Sequence, residues 1–502
     1  MTEPHFALTD QQSFIVDTVA GGDSMIVEAL AGTGKTSTLV KAAEQLSGKV
    51  IYTAFNKKIV TEAKQKFDGI ARVSTVHGLA FRTHGMPFKD RFDSPRMPQH
   101  KIGQRLGAKS VRVTLDDGTQ RGYSPGFVAG QAVATVRRFC QSDSQNIGPE
   151  HVPPLVDLAL DPATWSWWCS HVIPFAESVW EDGTDPNGTL PYDHAYYLKE
   201  WQLSAPTLNC DTLMFDEAQD VSPVMASVIM TQPCQLVMVG DPNQAIYGFT
   251  GAIDALARIR KEAPTIPVGE ITQSFRFGET IASVANYQLA ALTNLRLIGA
   301  GPNGSVHGTG PAPGAPDAVL CRTNAGAMTV ALDHKEAGGD PHVMGGTAEM
   351  VRFARAAGEL MALGSSDHPD LGCFQSWQQV LDYVEEDALG FELALSVDLV
   401  EKFGWETIAA MANQPYESDA TLITSTAHKV KGAQWPSVRL HHDFGMVPDK
   451  EITLEEIRLL YVAATRAQTC LDVSEVPKEF GFRPPEPTNN QQPTNPKDNN
   501  NG

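Results

Sequence analysis

The sequence predicts an α/β fold of doubly wound parallel sheet, and three stretches carry that expectation. Met25-Ile26-Val27 is an apolar run that leads into Ala29-Leu-Ala-Gly-Thr-Gly-Lys-Thr36. Thr212-Leu-Met-Phe ends in two carboxylates, Asp216 and Glu217. Gln235-Leu-Val-Met-Val ends in the turn Gly240-Asp241. Short apolar runs bounded by turn residues read as buried strands. Carboxylates and glycines at their ends mark the sheet edge where such folds bind ligands.

The first stretch reads as strand, glycine-rich turn and helix, the helix running from Thr36 to Leu46. Gly32 and Gly34 let the backbone turn its N–H groups towards an anion, and the helix N-terminus adds partial positive charge. Ala31 and Thr33 complete the turn, Ser37 follows it, and all three are expected to bind the nucleotide with Gly32, Gly34, Lys35 and Thr36. Lys35 can reach the β/γ-phosphates, and the Thr36 hydroxyl can ligate Mg²⁺. Ala29 stands where the strict motif has glycine. In the second stretch Asp216 would hold Mg²⁺ through water, and Glu217 would polarise the water that attacks a γ-phosphate. In the third, Gln244 could sense that phosphate. Tyr247 and Phe249, flanked by glycines, could form a stacking platform for bases.

At 502 residues the chain is long for a single core, so two or more domains are expected. The chain has no apolar run long enough for a membrane span, and its N-terminus lacks a signal-peptide pattern. Seven scattered cysteines, never in C-x-x-C, suggest reduced, buried thiols rather than a zinc or iron–sulfur module. The formal net charge is −20, which overall disfavours nucleic acid, yet the charge is uneven. Met86 to Cys140 holds ten basic residues against four acids, and Gln141 to Ala205 holds ten acids against one lysine. The basic stretch suits a phosphate-tracking surface or an ordinary solvated face. Trp165, Trp167 and Trp168 of the acidic stretch read as core.

Further segments follow in a fixed order: Tyr52-Thr-Ala-Phe-Asn-Lys57, Ser74-Thr-Val-His-Gly78, Gln273-Ser-Phe-Arg276, Leu320-Cys-Arg-Thr-Asn324, Thr424-Ser-Thr-Ala-His-Lys-Val-Lys-Gly432 and Tyr461-Val-Ala-Ala-Thr-Arg466. Over roughly residues 6 to 475 the chain resembles superfamily 1 helicases of the UvrD/PcrA/Rep type, above all the short F-box DNA helicase-like and phage-borne members. The resemblance implies two RecA-like P-loop lobes with inserted 1B and small 2B subdomains. It implies ATP and Mg²⁺ as cofactors, and single-stranded and duplex DNA as partners.

By the same resemblance Gln12 reads adenine, and Arg276 and Arg466 serve the γ-phosphate, Arg466 as an arginine finger in a helical run from Leu454 to Ala467. Gly432 and Gln434 lie at the nucleotide; Gln434 stands where relatives have a ribose-holding acid. Thr53, Phe55, Asn56, Thr75, His77, Tyr247, Phe249 and His428 are implied to touch DNA. Phe249-Thr-Gly251 replaces the usual Trp-Arg-Gly, so stacking is kept and an arginine contact is lost.

The implied domains are lobe 1A at 1–85 and 206–268, 1B at 86–205, lobe 2A at 269–364 and 421–483, and a reduced 2B at 365–420. The glycine- and proline-rich stretch Gly301–Pro316 reads as a loop. Residues 484–502, poor in apolar side chains, read as a disordered tail. The implied activity is ATP-driven movement along single-stranded DNA with duplex unwinding, 3′→5′. A protein-stripping translocase that unwinds poorly, an RNA helicase, or a nucleotide-gated scaffold without motor activity remain alternatives. The expected setting is the cytoplasm of a bacterial or phage-infected cell, with a monomer or weak oligomer and replication or repair proteins as further partners.

Overall fold

The computed structural model describes residues 7–54, 57–93, 97–114, 120–155, 161–246, 255–366, 368, 370–372, 374–386, 391–445 and 452–477. Packing divides the chain into two units. The first comprises Met1–Ala29 and Lys35–Ile271; the second comprises Leu30–Gly34 and Thr272–Gly502.

The first unit is built on six parallel strands, β1 (Met25–Ala29), β2 (Val50–Ala54), β3 (Arg72–Thr75), β6 (Thr212–Asp216), β7 (Gln235–Gly240) and β8 (Val268–Ile271), in the order β3-β2-β6-β7-β1-β8. A parallel sheet covered on both faces buries both side-chain sets, so its strands are nearly continuously apolar. Accordingly every residue of β2 and β6 is buried. Ile51, Leu213 and Phe215 enter one core; Val50, Tyr52, Ala54 and Met214 enter the other. Helices α1 (Asp10–Ala20), α2 (Lys35–Ala43) and α3 (Lys57–Lys66) connect the early strands. α2 begins one residue before the expected start and ends three before the expected end.

Between β3 and β6 lie α4 (Val76–Ala80), α5 (Gln99–Leu106), an antiparallel pair β4 (Val111–Thr114) and β5 (Gln120–Tyr123), α6 (Pro125–Gln141), α7 (Pro162–Thr184) and α8 (His194–Leu203). The last three pack around Val136, Phe139, Trp168, Val172 and Val179. Trp168 is fully buried and Trp165 packs against this core, but Trp167 is 38% exposed, contrary to the core reading. The basic stretch is not one free surface. Arg91 is buried on Asp182 at 2.9 Å, Arg137 lies 3.6 Å from Asp193, and Arg138 donates to the Val152 carbonyl. The sharp charge boundary in the sequence is therefore partly cancelled inside the fold. α9 (Pro223–Met230) and α10 (Ala255–Glu262) complete the unit.

In the second unit, β9 (Gln273–Ser274) pairs with β10 (Ile298–Gly299). A six-stranded parallel sheet runs β11 (Ser305–His307), β16 (Ala467–Asp472), β15 (Trp435–Leu440), β12 (Ala318–Cys321), β14 (Leu422–Thr426), β13 (Pro341–Val343). The stretch expected to be a loop thus contains β11, because Ser305–His307 finds an open edge on Cys470–Asp472. Helices α11 (Glu279–Leu289), α12 (Asn324–Glu336), α13 (Ala348–Leu363), α14 (Trp377–Glu386), α15 (Phe391–Phe403), α16 (Trp405–Ala410) and α17 (Leu454–Ala464) flank it. Val351, Leu360, Val400 and Ile408 belong to one helical core.

No helix among the described residues is long and apolar enough to cross a membrane. Cys140, Cys169 and Cys321 are buried free thiols, while Cys210, Cys234 and Cys470 are only half-buried; Cys373 lies outside the described residues. The tail 484–502 also lies outside them.

Candidate functional site

The C-terminal ends of β1, β6 and β7, adjacent in the first sheet, bring three sequence-distant chemistries together. β6 delivers Asp216 and Glu217, α2 delivers Lys35 and Thr36, and the turn after β7 delivers Asp241 and Gln244. Lys35 Nζ lies 3.3 Å from Glu217 Oε1. Burial alone would lower the Lys35 pKa, but the carboxylates of Glu217, Asp216 and Asp241 outweigh it and hold the ammonium above its ordinary value. Asp216, 1% exposed, is pushed up by burial and by Glu217, against the pull of Lys35 and a phenolic hydrogen bond from Tyr52.

Thr36 Oγ1 and Asp216 Oδ2 are 3.4 Å apart. Their donor atoms are all oxygen, which suits a hard cation such as Mg²⁺ that keeps several of its waters. The residues present therefore fit the ion that the sequence implied.

Glu217 adopts φ +57°, one of two non-glycine residues in the left-handed region among the described residues. Such strain persists where the surroundings over-determine it. Here Glu217 Oε1 faces Lys35, and Oε2 accepts a 2.5 Å hydrogen bond from Gln219 Nε2. Gln219 is itself fixed, because its Oε1 accepts from the Asp241 backbone N–H at 3.1 Å. Asp241, fully buried, accepts from Asn243 and from Gln244 Nε2 at 2.7 Å. An unbroken set of hydrogen bonds thus joins Gln244, Asp241, Gln219, Glu217 and Lys35.

Gln12 is buried in the capping box of α1, its Oε1 accepting from the Thr9 N–H. Thr75 caps α4, accepting from the Gly78 N–H. Ser74, Thr75 and His77, with Lys64 and Arg82, line an open groove of about 470 Å³. The His77 ring shares a 3.1 Å hydrogen bond with Tyr197 and is held neutral: burial, then His194, lower its pKa to about 4 against the pull of Asp193. Thr53 is a correction. It is expected to touch a DNA strand, but its side chain is fully buried in the sheet and its hydroxyl has no hydrogen-bond partner among the described residues. Phe55, Asn56, Tyr247 and Phe249 lie outside the described residues.

In the second unit the turn Leu30–Gly34 packs on Ser274, Arg276 and Tyr461. The Phe275 N–H donates to the Gly32 carbonyl at 2.9 Å, and the Ala31 N–H donates to Tyr461 Oη at 3.0 Å. Gly32 has φ +74° and Gly34 φ +80°. A Cβ on Gly32 would also meet Ser274 Oγ at 2.5 Å, so only glycine fits there. The Thr33 hydroxyl donates to the Leu30 carbonyl.

Arg276 donates to the Thr465 carbonyl at 2.8 Å. Arg466, 2% exposed, donates to Val462 O and to Thr465 Oγ1. It does not lie in the helix, as expected, but just after it. α17 stops at Ala464, where the Arg466 N–H turns back to the Ala463 carbonyl, and Ala467 enters β16. Gly432 and Gln434 are exposed, as is Ser37 in the first unit. His428 is half-buried, its pKa lowered to about 4 by burial and then by Arg322.

Three further residues were not singled out from the sequence: Tyr52 and Gln219 at the carboxylate cluster of the first unit, and Tyr461 on the glycine-rich turn of the second. Gln219 had a signal, since it stands inside the Asp-Glu-Ala-Gln-Asp segment. Tyr52 and Tyr461 are tied to their partners only by strand order and by packing.

A parallel sheet with a glycine-rich turn, a lysine on a helix N-terminus and a strand ending in Asp-Glu defines a P-loop nucleotide-binding protein. Comparison with known families narrows this. Residues 11–250 match an AAA domain, and residues 400–477 match the UvrD-like helicase C-terminal domain. The chain is thus similar to the UvrD-like superfamily 1 helicases in both matched segments. It is 28% identical to the F-box DNA helicase protein 1 of Schizosaccharomyces pombe over 93% of this chain and 57% of that one. It is 27% identical to the F-box DNA helicase 1 of Gallus gallus over 93% and 49%. It is 25% identical to the ATP-dependent DNA helicase UvrD2 of Mycobacterium bovis over 93% and 78%. The chain thus spans about half the length of the two F-box relatives.

Proposed function

We propose that this chain is an ATP-dependent DNA helicase and translocase, coupling ATP hydrolysis to movement along single-stranded DNA and to duplex unwinding, 3′→5′. The observation that carries the reading is the buried cluster of Lys35, Thr36, Asp216 and Glu217. It pairs a cation for phosphate with an oxygen pair for Mg²⁺ and a carboxylate held ready to orient water. The relatives' names as DNA helicases support the substrate class.

Lys35 binds the β/γ-phosphates, and the N–H groups of the Gly32–Gly34 turn cradle them. When bound, Mg²⁺ supplies charge neutralisation at the phosphates, held by Thr36 and Asp216. Glu217 orients the attacking water and takes up its proton. The chain Glu217–Gln219–Asp241–Gln244 gives Gln244 a fixed path to the carboxylate. Arg276 and Arg466 keep the γ-phosphate roles given by the family resemblance. Gln12 keeps adenine recognition, and Gly432 and Gln434 keep the ribose side. Strand contact is assigned to Thr75, His77 and His428, with Phe55, Asn56, Tyr247 and Phe249. Residues 86–205 and 365–420 are proposed as the 1B and reduced 2B insertions.

The test is ATP hydrolysis by purified protein with and without single-stranded DNA, wild type beside Lys35→Ala. Strand-stimulated turnover that Lys35→Ala abolishes is expected. Nucleotide binding without strand-stimulated turnover would favour the scaffold reading instead.

A further inference from the structure

We infer that Tyr52 is a positioning residue for the metal-binding carboxylate Asp216. This rests on reading the Lys35–Glu217 cluster as an ATP–Mg²⁺ site. The strand register puts Ala54 beside Asp216 and Tyr52 beside Met214. Side chains alternate along a strand, so Tyr52, Ala54, Met214 and Asp216 share one face. From two positions back, the long phenol reaches forward along the sheet to the carboxylate. Tyr52 Oη donates to Asp216 Oδ2 at 2.6 Å, shorter than the 3.4 Å approach of Thr36 to the same oxygen. The Glu217 N–H donates to Asp216 Oδ1 at 2.9 Å. Both carboxylate oxygens are thereby anchored, one by backbone and one by phenol.

Tyr52 is itself immobile. It is fully buried, and its ring lies 4.5 Å from that of Phe67. A rigid ring holding one oxygen of the carboxylate fixes the rotamer that faces Thr36 and leaves the remaining lone pairs for metal-bound water. Partners of this kind orient metal-binding carboxylates and set affinity for the ion.

The test uses the full chain and Tyr52→Phe, which removes only the hydroxyl. Mn²⁺ binding is followed by electron paramagnetic resonance in the presence of ADP. ADP binding is measured separately in EDTA, and folding by circular dichroism. Tyr52→Phe is expected to bind Mn²⁺ about 10- to 100-fold more weakly, with metal-free ADP affinity and folding unchanged. Metal affinity equal to wild type, or a parallel loss of metal-free ADP binding, overturns the inference. Should the phenylalanine variant not fold, Tyr52→Met removes the same donor and is read in the same way. If the wild type itself binds neither ADP nor Mn²⁺, the nucleotide-site reading fails, and Tyr52 loses its assignment with it.

Discussion

Replacing Gln219 with leucine probes the link between the two catalytic strands. Gln219 is 1% exposed and joins Glu217 at the end of β6 to Asp241 after β7. Leucine keeps most of the volume but removes these hydrogen bonds and a longer one to Asp220. The bond to the charged Glu217 is worth about 1.5–3 kcal/mol, and the Asp241 N–H left buried without an acceptor costs about 1–3 kcal/mol. The apolar side chain offsets part of that loss. Glu217 then loses the Gln219 anchor on Oε2 and can leave the position set by its strained backbone. A carboxylate misplaced by about 1 Å costs on the order of 10²-fold in rate. Lys35 and Thr36 are untouched, so KM for ATP should stay near wild type. Steady-state hydrolysis at saturating single-stranded DNA is the assay. A kcat for Gln219→Leu equal to wild type would refute the link. The same reasoning covers Gly240, where a Cβ would lie 2.3 Å from Gln219 Oε1, so Gly240→Ala should reproduce the phenotype.

Gly32→Ala places a methyl where φ is +74°, a strain of about 1–2 kcal/mol, and drives it against Ser274; calorimetry should show ADP affinity down by about tenfold or more, and unchanged affinity would contradict the cradle. Thr53→Val replaces a buried hydroxyl that lacks a partner among the described residues, so urea unfolding should show equal or greater stability, by up to about 1–3 kcal/mol, with single-strand affinity unchanged; weakened strand binding would restore Thr53 as a contact. His77, with its pKa lowered to about 4, binds its proton less readily folded than unfolded. Its contribution is therefore complete above about pH 6.5 and is lost as pH falls towards 4. His77→Gln should flatten the fall in stability across that window, and identical pH profiles would show that His77 is not its source.

The elements legible in the sequence were those whose chemistry is local. β1, β6 and β7 announce themselves because a strand buried on both faces must be apolar throughout, and the turns after them must carry glycine or acid. Lys35, Thr36, Asp216 and Glu217 follow from that pattern, and the structure brings them together in one cluster. What the sequence hid depends on neighbours in space. Tyr52 and Asp216 stand 164 positions apart, and only the strand order makes them partners. Thr53, one residue on, points into the opposite core, a consequence of strand alternation that a motif read as a line of letters does not reveal. Arg466 was misplaced for a related reason. The apolar spacing of α17 continues smoothly past Ala464, but the chain leaves the helix there to enter β16. Net charge along a sequence does not show pairing: Arg91 and Arg137 of the basic stretch turn to acids of the following segment.

The central claim is that ATP turnover at the Lys35–Glu217 cluster drives movement along DNA. Its most direct test is single-turnover strand separation on duplexes with a 3′ or a 5′ single-stranded tail, wild type beside Lys35→Ala. Separation of the 3′-tailed duplex by the wild type with ATP, and none by Lys35→Ala, is the expected result. Equal separation by the two proteins, or ATP turnover by the wild type that never opens either duplex, would contradict the account.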